Sequence, residues 1–335
     1  MMSASKRALV TGGAGFIGSH LAEFLLKNSY LVDVVDDLSN GSRCNISQVS
    51  GCRECNLHEI NLDKWLTSTY SDQQFDMVFH LASPVGVSVV ENLSQRAFEK
   101  LEQENRNLID WAFHHSEKLC VSSSSEVYGD LGDQQNKITM DEDSALDEFP
   151  AGKRWRYARL KRKMEMYALE TYRDRLEDLF IARLFNVVGE RQNSDQGMVL
   201  PTFVKAVRDG NKITIFGDGS QQRCFSDVRD VVEILWKGTI SENAPAVLNI
   251  GTEFPLTLVL LAGKVIEIGV EMGFTTSEIV YEENRTDEIF RRVPDTNRLQ
   301  HWLGSVPAVD IDSVIRRTFE DQGKNLKAKN DEVVA

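Results

Sequence analysis

The stretch Thr11-Gly12-Gly13-Ala14-Gly15-Phe16-Ile17-Gly18-Ser19-His20 leaves few folds open to this chain. It follows an apolar run, Ala8-Leu9-Val10, and precedes Leu21-Ala22-Glu23-Phe24-Leu25-Leu26. That order predicts a strand, a glycine turn and a helix. Glycines in such a turn let the backbone approach phosphates and let the helix pack close on the strand. The helix N-terminus adds unpaired N–H groups and a positive dipole end. The pattern predicts a dinucleotide pyrophosphate site.

A second apolar strand, Leu31-Val32-Asp33-Val34-Val35, ends at Asp36-Asp37. An acidic residue about 20 positions past the glycines is where a ribose 2′-hydroxyl is bound. Asp36, the first carboxylate after the strand, stays nearest the strand's C-terminal end. No Arg stands beside it to receive a 2′-phosphate, so the cofactor is expected to be NAD and not NADP.

Short β-rich runs alternate with helical stretches along the first half. Ala8–Val10, Leu31–Val35, Met77–Leu81, Leu119–Ser122 and Leu179–Arg183 read as strands, and Phe98–His114 and Arg159–Tyr172 as helices. Such alternation predicts an α/β fold, a Rossmann-type doubly wound parallel sheet. Past Asn186 the pattern changes: a helix over Met198–Arg208, a hairpin-like Lys212–Asp218, a strand Val247–Ile250 and a helix Leu256–Met272. This predicts an NAD-binding domain over residues 1–185, with a returning segment near 225–252. A smaller substrate-binding lobe follows over 186–325, then a flexible tail over 326–335.

A net charge of −13 over 335 residues argues against a nucleic-acid partner, which needs a basic face. The local exceptions, Lys153-Arg154-Trp155-Arg156 and Arg159-Leu160-Lys161-Arg162-Lys163, read as a solvated helix face. Without a signal-peptide-like start or an apolar run of membrane-spanning length, the chain is expected in the cytoplasm and off the membrane. Five cysteines fit a reducing compartment. Cys44, Cys52, Cys55 and His58 lie close in sequence but miss the usual zinc spacings, so no metal is expected.

Tyr157-Ala158-Arg159-Leu160-Lys161 places a phenol and an ammonium four apart, on one helix face. A Lys beneath a Tyr lowers the phenol's pKa, and such a phenol can take a proton from a sugar hydroxyl. A Tyr and a Lys so spaced also arise by chance; the strand Leu119–Ser122 running into Ser123-Ser124-Ser125-Glu126 gives the pair its meaning. Ligands bind outside the C-terminal ends of strands in a doubly wound sheet, and a serine there can support the Tyr.

With these features together, the chain resembles the extended short-chain dehydrogenase/reductase family, in its nucleotide-sugar-modifying branch, over roughly residues 6–320. The resemblance makes Gly12, Gly15 and Gly18 the three glycines of the cofactor turn, with Phe16 and Ile17 inside it. Asp36 and Asn40 fall in its adenosine-ribose loop, and Leu81, Ala82 and Ser83 after His80 in its strand end near the nicotinamide-side phosphate. Ser124, Tyr157 and Lys161 match the catalytic set. Asn186, in Arg183-Leu184-Phe185-Asn186, matches the Asn that contacts the nucleotide-sugar. Arg223 matches the Arg that holds the substrate diphosphate, and Arg291-Arg292-Val293-Pro294-Asp295 a late element near the same ligand. The chain departs from the family at Leu160, where Ser is common, and at Glu102-Gln103-Glu104-Asn105-Arg106, where Asn-Val-x-Gly-Thr is usual. Asn61-Leu62 takes the place of a usual Asp on the adenine side.

The resemblance implies a homodimer and a shared first step, oxidation of a nucleotide-sugar, such as a UDP-sugar, at C4. Ser125-Glu126 lacks the Asp-Glu pair of 4,6-dehydratases and is similar to the uronate decarboxylase pattern, with Glu126 as a catalytic group and Arg292 as the carboxylate's partner. Ser-Glu-Val-Tyr-Gly also occurs in 4-epimerases, and Arg154-Trp155-Arg156-Tyr157 and Pro84-Val85-Gly86-Val87 lean that way. The expected activity is a UDP-sugar 4-epimerase first and a UDP-glucuronate decarboxylase as the alternative. A reductase that releases its cofactor and a non-catalytic nucleotide-sensing protein are the rival classes.

Overall fold

A computed structural model of the chain describes residues 5–84, 90, 92–130, 139–283 and 289–334. Its main sheet has seven strands: β1 (Arg7–Thr11), β2 (Leu31–Asp36), β3 (Cys55–Glu59), β4 (Phe75–His80), β5 (Ser116–Ser124), β6 (Leu179–Leu184) and β7 (Val247–Ile250). The order is β7-β6-β5-β4-β1-β2-β3, and every pairing is parallel. The order reverses between β1 and β4, which opens a crevice at their C-terminal ends.

Side chains leave a strand alternately to its two faces, so a strand buried on both sides reads as an unbroken apolar run. Ala8 and Val10 join one apolar cluster, which includes Leu21, Ala22 and Leu25 of helix α1 (Phe16–Lys27); Leu9 joins the other. Phe180 and Ala182 of β6 side with the first, Leu179 and Ile181 with the second. The second face is covered by α2 (Gln95–His115), through Leu108, Ile109 and Ala112, and by α3 (Arg156–Thr171), through Met164 and Ala168.

A further core gathers Val188, Leu200, Phe203, Val207, Ile215, Leu261, Val265, Ile315 and Phe319. Here the expected hairpin over Lys212–Asp218 is replaced by a single strand, Ile213–Phe216, paired in parallel with Ile279–Glu282 far along the chain. The glycines of the segment serve a turn instead: Gly217 and Gly219 have φ of 77° and 79°. The last helix runs Ile311–Val334, through the segment expected to be a flexible tail. Its Leu326-Lys327-Ala328-Lys329 run is made of good helix formers.

β3 was not legible as a strand. It is the sheet's edge and only Cys55 of it is buried, so its apolar signal is weak. His58 reaches Asp33 at 3.0 Å, and all five cysteines are free thiols. Among the described residues no group of His, Cys, Asp and Glu has the arrangement of a metal site, and no helix is long and apolar enough to cross a membrane.

Candidate active site

The crevice between β1 and β4 opens into a cleft of about 1160 Å³ that runs from the glycine turn to Arg292. That exceeds the roughly 300–1,000 Å³ usual for one small ligand, and leaves room for a cofactor and a second molecule.

At one end Gly12 takes φ 70°, and a Cβ there would stand 2.8 Å from the backbone N and Cα of Ala82. The turn thus lies against the end of β4, where the Ala82 N–H donates to the Thr11 hydroxyl at 3.2 Å. A Cβ on Gly18 would collide with the Gly12 carbonyl, whereas one on Gly15 would meet nothing closer than 3.1 Å. Gly15 caps α1 without a side-chain acceptor for the first-turn N–H groups, and Phe16 and Ile17 line the cleft beside it. This is a backbone cradle for an anion.

Asp36 lines the cleft at the end of β2 and accepts from the N–H of Ala14 at 2.9 Å and of Leu38 at 2.8 Å. Its carboxylate therefore also ties the glycine turn to the loop that follows β2. Burial, and to a lesser degree Asp37, hold its pKa above the usual range against those two N–H donors. Asn40, Asn61, Leu62, Leu81, Ala82 and Ser83 share the cleft wall. Val85-Gly86-Val87 lie outside the described residues.

Within the departing segment Glu102–Arg106, Asn105 turns to the end of β4. Asn105 meets His80 Nε2 at 3.0 Å, and Thr11 meets His80 Nδ1 at 2.9 Å. Burial holds His80 down to about 4, so it is a neutral ring pinned at both nitrogens. Leu160, standing where the family commonly has Ser, is buried in an apolar cluster with Phe98 and Tyr157.

Ser124, Tyr157 and Lys161 come together on the cleft wall. The Ser124 hydroxyl lies near enough to the Tyr157 phenol to favour its ionised form. Lys161 Nζ donates to the Ser122 carbonyl at 2.8 Å and lies 5.9 Å from the centre of the Tyr157 ring. The expected acidification of the phenol is not produced by the protein alone. Burial and the charge of Glu126 push Tyr157 above its ordinary range, and only the Ser124 contact pulls the other way. The phenol is a neutral O–H in this environment, ready to donate and, once it has passed its own proton on, to accept.

A polar network absent from the sequence reading backs this set. Glu165, one turn beyond Lys161, is fully buried and takes Arg183 in a two-pronged pair at 2.9 and 2.8 Å. The Ser123 hydroxyl donates to the same carboxylate. Arg183 continues to the Tyr128 hydroxyl at 3.0 Å, and Tyr128 donates to Asn249 of β7 at 2.6 Å. The signal available in sequence was a carboxylate four positions after Lys161, on the same helix face.

At the far end Ser125 is buried in the wall, and Glu126 sits between two guanidiniums. Arg292 pairs with one of its oxygens, and Arg154 reaches the other at 3.0 Å. Burial opposes the charge, but Arg292 and Arg154 prevail and hold Glu126 down to about 2. It is a fixed carboxylate, unsuited to giving up a proton. Arg292 keeps two buried nitrogens, Nε and Nη2, without an acceptor. A buried donor left unmade costs about 1–3 kcal/mol.

Asn186 lines the cleft in a left-handed turn, φ 34°, with its side-chain amide on the Cys224 carbonyl at 2.8 Å. Arg223 is not brought to the cleft. Its guanidinium donates to the carbonyls of Gln222, Ile289 and Phe290 at 2.9, 2.7 and 3.2 Å. The basic runs are paired more than solvated: besides Arg154, Arg156 donates to the Leu93 carbonyl, Arg159 to Pro150 and Gly152, and Arg162 to Glu165.

The model of a family described as NAD dependent epimerase/dehydratase matches residues 8–251. The chain is 30% identical to a UDP-N-acetyl-alpha-D-glucosaminuronate decarboxylase of Bacillus cytotoxicus, over 94% of this chain and 97% of the relative. It is 28% identical to UDP-glucuronic acid decarboxylase 1 of Danio rerio, over 96% of this chain and 74% of the relative. A solved UDP-glucose 4-epimerase of Thermotoga maritima, bound to UDP-glucose, superposes with a TM-score of 0.83. It covers 96% of this chain and 99% of its own, at 27% identity.

Proposed function

The chain belongs to the NAD dependent epimerase/dehydratase family, and from that premise we propose that it is a decarboxylase of a UDP-linked uronic acid. This reverses the order expected from sequence, which put the 4-epimerase first. One observation carries the reading: Arg292 stands in the cleft wall with two buried, unpartnered nitrogens, beside Ser125 and Glu126. A guanidinium edge suits the two oxygens of a sugar C6 carboxylate, and a hydroxymethyl group would leave it unsatisfied.

The glycine cradle, the uncapped start of α1 and Asp36 fit NAD, and would hold its pyrophosphate and adenosine ribose. When bound, NAD supplies the acceptor for a hydride from sugar C4 and returns it later. The residues of the chain do the rest. Tyr157, steadied by Ser124, acts as its phenolate, reached by passing its own proton to solvent and favoured by the nearby charge of Lys161; in that form it takes the C4 hydroxyl proton, and it gives the proton back at the end. Lys161 holds a buried positive charge behind the pair. Arg292 fixes the C6 carboxylate. Once C4 is a ketone, the carboxylate is β to it. The C5–C6 bond breaks, its electron pair moves into the C4 carbonyl as an enolate, and CO₂ leaves. A proton from solvent water added at C5 restores the ketone, and C4 is reduced again to give a UDP-pentose. Buried Glu126, held ionised, keeps Arg292 in place and is not the proton source for C5.

The test is incubation of the purified protein with NAD and UDP-glucuronate, UDP-N-acetylglucosaminuronate or UDP-glucose, with products read by mass spectrometry and proton NMR. Release of CO₂ from a uronate supports the reading. Unchanged mass with inversion at C4 would make the protein a 4-epimerase.

A further inference from the structure

Glu126 is held from two sides, and only one of its partners belongs to the ligand-facing wall. Arg292 lines the cleft; Arg154 does not. Arg154 approaches from the segment that leads into α3, three residues before Tyr157, and reaches the Glu126 oxygen that Arg292 leaves free. Its guanidinium also lies over the Trp155 ring, 5.0 Å from the centroid, and Trp155 is itself stacked on Phe149. The groups facing the Glu126 carboxylate are thus Arg292 from the strand Arg291–Arg292 and Arg154 and the Tyr157 phenol from α3 and its lead-in, while the Ser124 hydroxyl of β5 accepts from the Glu126 backbone N–H.

Two guanidiniums and one carboxylate leave one net positive charge in a largely desolvated wall, with Arg154 the more exposed of the two guanidiniums. A single C6 carboxylate would bring that wall to neutrality. A hydroxymethyl group would leave the charge buried and uncompensated, which is costly. Without Arg154, Glu126 would already neutralise Arg292, and an arriving carboxylate would create a net negative site.

We propose that Arg154 is a specificity-determining positioning residue: by taking one oxygen of Glu126 it leaves Arg292 with charge and N–H groups to spend on a substrate carboxylate. The inference rests on the uronate reading above. It has a signature that mere structural support would not give. In wild type, Glu126 is ionised across the working pH range, so uronate affinity is flat with pH. In Arg154→Gln, a bound uronate leaves two carboxylates sharing Arg292. Binding then takes up a proton, and affinity rises as pH falls.

The experiment measures dissociation constants of NAD-loaded wild type, Arg154→Gln and Arg154→Lys for UDP-glucuronate and UDP-glucose by calorimetry, between about pH 5.5 and 8. Arg154→Gln is expected to lose at least about tenfold of the preference for the uronate at pH 8 and to regain part of it at pH 5.5. Arg154→Lys restores the charge and most of the preference, which separates the effect from misfolding. If wild type prefers the uronate and Arg154→Gln keeps both that preference and a flat pH dependence, this inference fails alone. If wild type binds the two sugars equally, the uronate reading fails and takes the inference with it.

Discussion

Lys161 points its ammonium at the carbonyl of Ser122, 2.8 Å away, and not at the phenol of Tyr157. Burial brings its pKa down to about 8 from the ordinary 10.5, although the charge of Glu165 pulls it up. The ammonium is complete below that pH and lost above it. The value of kcat/KM is therefore expected to fall as pH rises through about 8, and Lys161→Arg is expected to shift or remove that alkaline limb. A pH profile that stays level well past this point in wild type would contradict the assignment. Stability runs the opposite way: the unfolded chain holds this proton more tightly, so the fold gains as pH climbs from about 8 to 10.5.

Replacing Tyr157 by Phe removes the hydroxyl and keeps the ring in its cluster with Leu160 and Phe98. Turnover is expected to drop by about 10²–10⁴-fold, with cofactor and nucleotide-sugar affinity nearly unchanged. Steady-state kinetics beside calorimetric titration checks this. Retained turnover would take proton transfer away from Tyr157.

Glu165→Gln leaves Arg183 buried without its counter-charge and keeps only one acceptor oxygen for Arg183 and Ser123 to share. Loss of one partner of a buried pair costs about 3–5 kcal/mol. A urea unfolding curve should show it as an earlier midpoint with an unchanged slope. A midpoint equal to wild type would mean that the network adds nothing to the fold.

Arg223 serves three carbonyls in this structure and not the cleft. Arg223→Ala is expected to cost about 1–2 kcal/mol of stability and little affinity for the nucleotide-sugar. Thermal melts and ligand titrations separate the two. A variant of normal stability that binds the diphosphate poorly would return Arg223 to the role expected from sequence.

What was legible in sequence was local. A strand, three glycines and a helix dictate one turn, and a Tyr four residues before a Lys dictates one helix face. These elements found their partners because a parallel sheet brings its strand ends to one edge. What was not legible depended on distance or depth. Nothing near Ile213–Phe216 says that its neighbour is Ile279–Glu282. Glu165 is written like any carboxylate on a charged helix, and only the packed structure puts it beside Arg183. The same holds for Tyr157: sequence shows the Lys one turn away, but not the burial and the Glu126 charge that raise the phenol's pKa.

The main sheet is completed by β7, which lies on β6 although some sixty residues of other structure, from 185 to 246, separate the two in the chain. A nascent chain that has emerged only as far as β6 presents Leu179–Leu184 as an open sheet edge, able to pair with another such chain. Gene splitting meets the same obstacle: a break anywhere between β6 and β7 yields fragments that must find each other before either sheet edge or cleft is whole.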